Sequence, residues 1–210
     1  MKTKLICFVI ACFSVLSLHA QEQTMSAAEA MAFKNAVNAT AKNTKTLTTD
    51  FVQYKHMDFL SKDMETSGKM SFKATNKLLW QYTKPYQYSI VFKDNKISIN
   101  DAGKKSNMNA GGSKMFGKLA KLIVGSVNGN MFDEKEFTIT YFKSKDYNVT
   151  KLVPKDKAIK KYIQQMELYF DKKGNMVSEV KMIEPSNDYT RIVFKNKAVN
   201  APVPDSVFNN

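Results

Sequence analysis

A two-residue alternation of apolar and polar side chains governs what this chain can become. Met64, Thr66, Gly68, Met70 and Phe72 alternate with Glu65, Ser67, Lys69, Ser71 and Lys73. Such a period places one set on each face of a half-buried strand. Leu78-x-Trp80-x-Tyr82 repeats the pattern, as does Tyr88-x-Ile90-x-Phe92 before the Asp94-Asn95 turn and Ile97-x-Ile99. That last pair reads as a hairpin. Further strands are predicted at about 137–142, 147–153, 161–170, 176–183 and 189–195. Asp171-Lys172-Lys173-Gly174 supplies a turn between two of them.

Two stretches break the alternation. Ser26 and Glu29 have the spacing of a capping box, and Ala30, Phe33, Val37 and Ala41 follow at helical spacing, which predicts one amphipathic helix over 26–44. Between Ser113 and Val127, Met115, Leu119, Leu122 and Ile123 share a helical face that Phe116, Ala120, Val124 and Val127 widen. Gly111-Gly112 and Gly125 flank this stretch as hinges. A mainly β (α+β) architecture follows: about ten antiparallel strands in one highly curved sheet, an incomplete barrel, with helices packed on it.

Residues 1–20 are read as a secretory signal peptide. Lys2 and Lys4 precede an uncharged, mostly apolar run from Leu5 to Leu18, and Ala20 stands at the cleavage position. That run is shorter than the roughly 20 residues that span a bilayer. Val9-Ile10-Ala11-Cys12 is a competing lipobox that would leave Cys12 lipidated. Cleavage after Ala20 removes Cys7, Cys12 and His19, and lowers the net charge from +13 to +11 by taking Lys2 and Lys4. Residues 21–210 are then one cysteine-free exported domain whose only histidine is His56.

That composition excludes most chemistry. Without cysteine and with one imidazole, thiolate catalysis, zinc-cysteine sites and histidine clusters lack material. His56 sits in the polar run Lys55-His56-Met57-Asp58 and is expected to face solvent. Gly111-Gly112-Ser113-Lys114 lacks the full spacing of a phosphate loop. No catalytic residue, metal site or cofactor motif is read, and the chain is not expected to be an enzyme. Of its 32 basic residues 31 are lysine, scattered through turns, and only Arg191 is arginine. Nucleic-acid surfaces favour arginine forks in a concentrated stripe, so nucleic acid is not an expected partner. Dispersed lysine suits solubility and transient contact with an anionic membrane surface.

Several motifs together carry a resemblance. Phe51-x-Gln53, Ser67-Gly68-x-Met70-x-Phe72 and Leu78-x-Trp80-x-Tyr82-x-x-Pro85 are followed by the Asp94-Asn95 hairpin. Near the C-terminus come Asp188-x-Thr190-x-Ile192-x-Phe194-x-Asn196, then Asn200 and Phe208. In these features the chain resembles the LolA family of periplasmic lipoprotein carriers over nearly all of residues 21–210. The resemblance implies an open antiparallel barrel of about eleven strands, lidded by short helices over an apolar cavity. It implies a periplasmic, monomeric carrier of acylated lipoproteins, loaded by an inner-membrane ABC transporter and delivering to the outer membrane, where an acceptor protein is a further expected partner. A sensor of mislocalised lipid or lipoprotein built on the same barrel is the alternative.

The cavity expected on this basis is walled by Phe51, Met70, Phe72, Leu78, Trp80, Tyr82, Ile90, Phe92, Met166 and Leu168. The lid is formed by Met115, Phe116, Leu119, Leu122 and Ile123. The burden on such a wall is large, because burying each acyl CH₂ is worth about 0.8 kcal/mol and a long chain on the order of 10 kcal/mol. One departure stands out. Where relatives place a basic residue that latches the lid, just before the Leu-x-Trp strand, this chain has Ala74, with Lys73 and Lys77 as the nearest substitutes.

Overall fold

In the computed structural model the described residues are 22–74, 76–93, 96–109 and 131–209. The expected signal peptide, the Asp94-Asn95 turn and the expected lid residues Met115, Phe116, Leu119, Leu122 and Ile123 lie outside them. The first elements are a two-residue strand β1 (Gln23–Thr24) and helix α1 (Ala27–Asn43). An antiparallel meander follows: β2 (Thr46–His56), β3 (Met64–Lys73), β4 (Lys77–Lys84), β5 (Tyr88–Lys93), β6 (Lys96–Asp101) and β7 (Lys104–Asn109). A second meander contains β8 (Phe137–Lys143), β9 (Tyr147–Pro154), β10 (Gln165–Asp171), β11 (Val177–Ile183) and β12 (Tyr189–Val199). A one-turn helix α2 (Lys157–Lys160) lies between β9 and β10, and a 3₁₀ turn spans Asp205–Phe208.

All of these strands belong to one antiparallel sheet, ordered β1-β8-β9-β10-β11-β12-β2-β3-β4-β5-β6-β7. Its edges, β1 and β7, do not pair with each other, so the sheet curves without closing. The two meanders are joined by β12 against β2, in register from Tyr189–His56 to Val199–Leu47. Three strands had no clear alternation. β1 is too short, β7 is almost wholly polar, and β2 mixes Thr49 and Gln53 among its inward residues. The strand predicted from residue 161 begins instead at Gln165, because α2 and its turn bury Ile159 and Ile163 at helical spacing.

Helix α1 forms where the capping box predicts. The Ser26 hydroxyl accepts from the Glu29 amide at 3.3 Å, and the Glu29 carboxylate accepts from the Ser26 amide at 2.9 Å. Glu29 also accepts from Lys143 on β8, and that bond, followed by those from Ser26, holds its carboxyl at about 2. A second tie runs from Lys34 to Glu134 at 2.8 Å. The helix thereby lays Phe33, Val37 and Ala41 onto the sheet. Phe33 meets Phe170 edge to face at 5.0 Å within a cluster that includes Phe137, Leu152 and Met166.

The other half of the sheet has its own cluster, centred on Phe51, Met70, Phe72, Leu78 and Trp80. Its geometry explains the glycine of the Ser67-Gly68-x-Met70 motif. Phe51 stacks on Trp80 at 4.2 Å and meets Tyr82 edge to face at 5.3 Å, lying directly over Gly68. A Cβ at position 68 would stand 1.9 Å from the Gln81 carbonyl oxygen and 2.7 Å from the Phe51 ring. Only hydrogen fits between that backbone and that ring.

Lys73 and Lys77 point to the opposite face. Both bind Asp205 of the 3₁₀ turn, at 2.8 and 3.2 Å, and Lys73 also donates to the Val203 carbonyl. They clamp the C-terminal segment, whose Val203 and Phe208 bury against Val91 on the outer side of the sheet. Ala74 packs against the inner cluster. The expected substitution of these lysines for a lid latch is therefore corrected: alternation along β3 and β4 sends them away from the concave face.

His56 is partly exposed at the surface, where it has partners that the sequence did not indicate. It stacks on Tyr189 at 4.6 Å, its Nδ1 lies 2.8 Å from Asp63 and its Nε2 lies 3.4 Å from Asp58. Lys181 covers the Tyr189 ring at 4.2 Å. The hydrogen bond to Asp63 raises the imidazole above its ordinary value, and Asp58 adds to it.

Two tests follow from this packing. Gly68→Ala should lower unfolding stability by about 2–3 kcal/mol in urea titration, since the clash is with backbone; an unchanged midpoint would show that the strands separate freely. For His56 the charged form is favoured in the folded state, so its stabilisation is complete below the unfolded value of about 6.5 and fades as pH rises through the raised folded value. The melting-temperature gap between wild type and His56→Gln should therefore be wider at about pH 5.5 than at about pH 8.5. Equal gaps would remove the assigned role of the Asp63 contact.

Candidate functional site

The concave face is not filled. Between α1 and the sheet lies a cavity of about 210 Å³, lined by residues of α1, β2 to β5 and β9 to β12. Most strands contribute alternate residues, because only one face of the pleat looks inward, and the alternation breaks between Val177 and Val180 on β11 and between Phe194 and Lys197 on β12. Met70 on β3, Trp80 and Tyr82 on β4, and Ile90 and Phe92 on β5 form one wall. Met166 and Leu168 on β10 form part of the other.

Seven of the ten wall residues expected from sequence therefore border the cavity. Phe51, Phe72 and Leu78 do not, although they share the inward face. Phe72 pairs with Leu78 across β3 and β4, and both are fully buried. Phe51, 1% exposed, is covered by the Trp80 ring. These three are the packed floor under the wall, so a polar replacement at Leu78 tests the fold rather than the cavity.

Sequence reading overlooked more than half of the lining. Helix α1 contributes Val37, Thr40 and Ala41, its C-cap contributes Thr44, and β2 contributes Leu47, Thr49 and Gln53. On β12, Ile192 and Phe194 continue the alternation of Thr190-x-Ile192-x-Phe194, a signal that was available. Lys197 also borders the cavity and carried no such signal. Four methionines take part: Met70, Met166, Met176 and Met182. Their unbranched thioethers reshape at little cost.

The polar groups of the site are few and mostly committed. Tyr82 donates its phenolic proton to the Gln53 side-chain oxygen at 3.0 Å, and burial raises its ionisation above the ordinary tyrosine value. Thr44 donates to the Thr40 carbonyl at 2.8 Å, and Thr49 to the Lys195 carbonyl at 2.7 Å. Lys197 pairs with Asp171 at 3.1 Å. Such a lining can desolvate an apolar ligand and orient it by a small number of contacts.

Aromatic contacts run from this wall towards one end of the barrel. Trp80 meets Phe194 edge to face at 6.1 Å, and Tyr82 contacts Tyr86 at 5.8 Å and Tyr88 at 6.2 Å. Tyr86 is half exposed in the β4–β5 turn. An aromatic track thus connects the interior with solvent.

Comparisons with known proteins agree with this architecture. Among curated protein sequences none matches. Among solved structures the chain is similar to MucB, at 11% identity and a TM-score of 0.53, over 88% of this chain and 64% of MucB. It is similar to the Pseudomonas aeruginosa MucA/MucB complex at 11% identity and a TM-score of 0.51, over 86% of this chain and 61% of the other. A LolA superfamily protein from Nitrosomonas europaea gives 10% identity and a TM-score of 0.46, over 86% and 97% of the two chains. At such identities the likeness to MucB is one of fold. The model of the family described as outer membrane lipoprotein carrier protein LolA matches residues 42–210, which takes in every strand from β2 to β12. With most of its length matched in this way, the chain belongs to the LolA family.

Proposed function

We propose that the protein is an exported envelope carrier that shelters the acyl chains of lipoproteins without covalent chemistry. The observation that carries this reading is the apolar cavity in the concave face of a LolA-family sheet. Water exacts on the order of 10 kcal/mol for one exposed long chain, and a wall of Trp80, Phe92, Ile90 and movable methionines offsets that cost. The cavity of about 210 Å³ is below the roughly 300–1,000 Å³ of most small-molecule sites. Loading therefore calls for the wall to widen, and the four lining methionines provide the compliance. Modest affinity suits a carrier, which must also let go.

On this reading residues 1–20 direct export and are removed, and the working form in the periplasm is a single domain. Its partners are acylated lipoproteins, an inner-membrane ABC transporter that loads it, and the outer membrane or an acceptor there. Surface lysines favour brief contact with anionic bilayers.

A second reading, a lipid-sensing module that signals by protein contact, draws on one observation. Lys73 and Lys77, the nearest substitutes for the basic latch that the family resemblance implies at Ala74, are committed to Asp205. Binding without that device for onward transfer would suit a sensor.

Trp80 is the chain's single tryptophan and lies in the cavity wall, which makes it an intrinsic reporter. A triacylated lipopeptide should shift Trp80 emission saturably, and the same peptide without acyl chains should not. Native mass spectrometry of the purified protein should show acylated species. Absence of both signals would refute the cavity assignment. Transfer of bound lipopeptide to outer-membrane vesicles separates carrier from sensor, since a sensor retains its ligand.

A further inference from the structure

Strand β12 delivers its inward residues in strict alternation as far as Phe194, and continuing that period would turn Lys197 outward. It does not, because the strand slips. Lys195 stands opposite Asp50 but Ala198 stands opposite Thr48, so Asn196 and Lys197 together face Thr49. Asn196 takes the left-handed conformation, with φ +53°, and its side-chain amide donates to Asp50 at 2.8 Å. The Thr49 hydroxyl closes the bulge by donating to the Lys195 carbonyl. A bulge of this kind re-aims a side chain, and here it brings Lys197, the one charged residue among the described lining, to a mostly apolar cavity.

Bringing that charge out of water is costly unless something repays it. The Lys197 side chain is 18% exposed, and Asp171, its ion-pair partner among the described residues, is 35% exposed. Asp171 is also tied to the β10–β11 turn, accepting from the Gly174 amide. An ammonium has three donors, and the Asp171 pair uses one. Nearby hydroxyls add no donors, since Thr40 gives its proton to the Gly174 carbonyl and Thr44 to that of Thr40. The polar end of the cavity thus offers lysine donors, beside the Asn175 side chain in the lining, while Trp80, Ile90 and Phe92 form its apolar wall.

We infer that this end of the cavity is a subsite for the anionic head group, carboxylate or phosphate, of an acyl lipid, held by Lys197. The inference rests on the cavity's taking acyl chains, and it adds a head-group preference that an acylated protein terminus alone does not require. Asp171 opposes the subsite electrostatically while fixing the lysine's position. Charge-assisted hydrogen bonds are the stronger class, so the preference should be measurable despite that opposition.

The test uses Trp80 fluorescence titration of the full mature chain with four probes. These are a long-chain fatty acid in its ionised form, the fatty alcohol of equal length, a monoacylglycerol and its phosphate monoester. Wild type should bind at least one anionic member about tenfold more tightly than its neutral counterpart. Lys197→Met should erase that preference, bringing the charged and neutral members of each pair to within about twofold of each other, and Lys197→Arg should retain it. Asp171→Asn keeps an acceptor for the Gly174 amide and should enlarge the preference. A preference confined to the fatty acid identifies the head as a carboxylate, and one confined to the monoester identifies it as a phosphate. Equal binding of charged and neutral lipids, or a preference surviving in folded Lys197→Met, overturns this inference and leaves the carrier reading intact. Failure of all four lipids to bind folded wild type overturns both.

Discussion

The pairing of β12 with β2 is the contact on which the rest of the molecule depends. Each meander is held by local hairpins, but only this seam, between strands more than a hundred residues apart in sequence, makes them one sheet. Both strands are eleven residues long, the longest among the described strands, which suits a junction that must overcome loop-closure entropy. The seam also brings Ile192 and Phe194 beside Leu47 and Phe51, so that the inward faces of both halves become continuous. Without it there would be two apolar sheets and no shared concavity.

Curvature then creates a conflict that the structure resolves unevenly. A concave apolar face must be covered, and α1 covers one half through Phe33, Val37 and Ala41. The other half is packed beneath Trp80, and the cavity lies between that layer and α1. The close approach of Phe51 to Gly68 shows how dense the floor is, whereas the wall above is built from aromatic edges and methionines. Packing and cavity lining thus fall to different layers of one sheet face, Phe51, Phe72 and Leu78 forming the first and Trp80, Ile90 and Met166 bordering the second.

Much of the fold was legible in the sequence because alternation is a direct consequence of strand geometry. The capping box at Ser26 and Glu29 located α1, and period two located the strands around Trp80, Ile90, Met166 and Ile192. Strand β2 escaped because Thr49 and Gln53 occupy inward positions that look polar, yet their side chains are satisfied by Lys195 and Tyr82. The start of β10 was misplaced since Ile159 and Ile163 fit either period over so short a run. Layering within the face was illegible as well: periodicity assigns Leu78 and Trp80 to the same side, and it has no term for depth.

The sequence by itself determined the class of the molecule: a cysteine-poor, arginine-poor antiparallel β chain with a capped helix and the motifs of the LolA family. These are local properties, fixed by covalent spacing and side-chain type. Tertiary structure decided what could not be local. It chose which inward residues border space and which are sealed beneath, since that depends on where α1 lands. It sent Lys73 and Lys77 to the outer face to hold Asp205, and through a one-residue slip opposite Thr49 it turned Lys197 inward. A single bulge inverts the face of everything after it, and a bulge exists only in relation to the strand beside it.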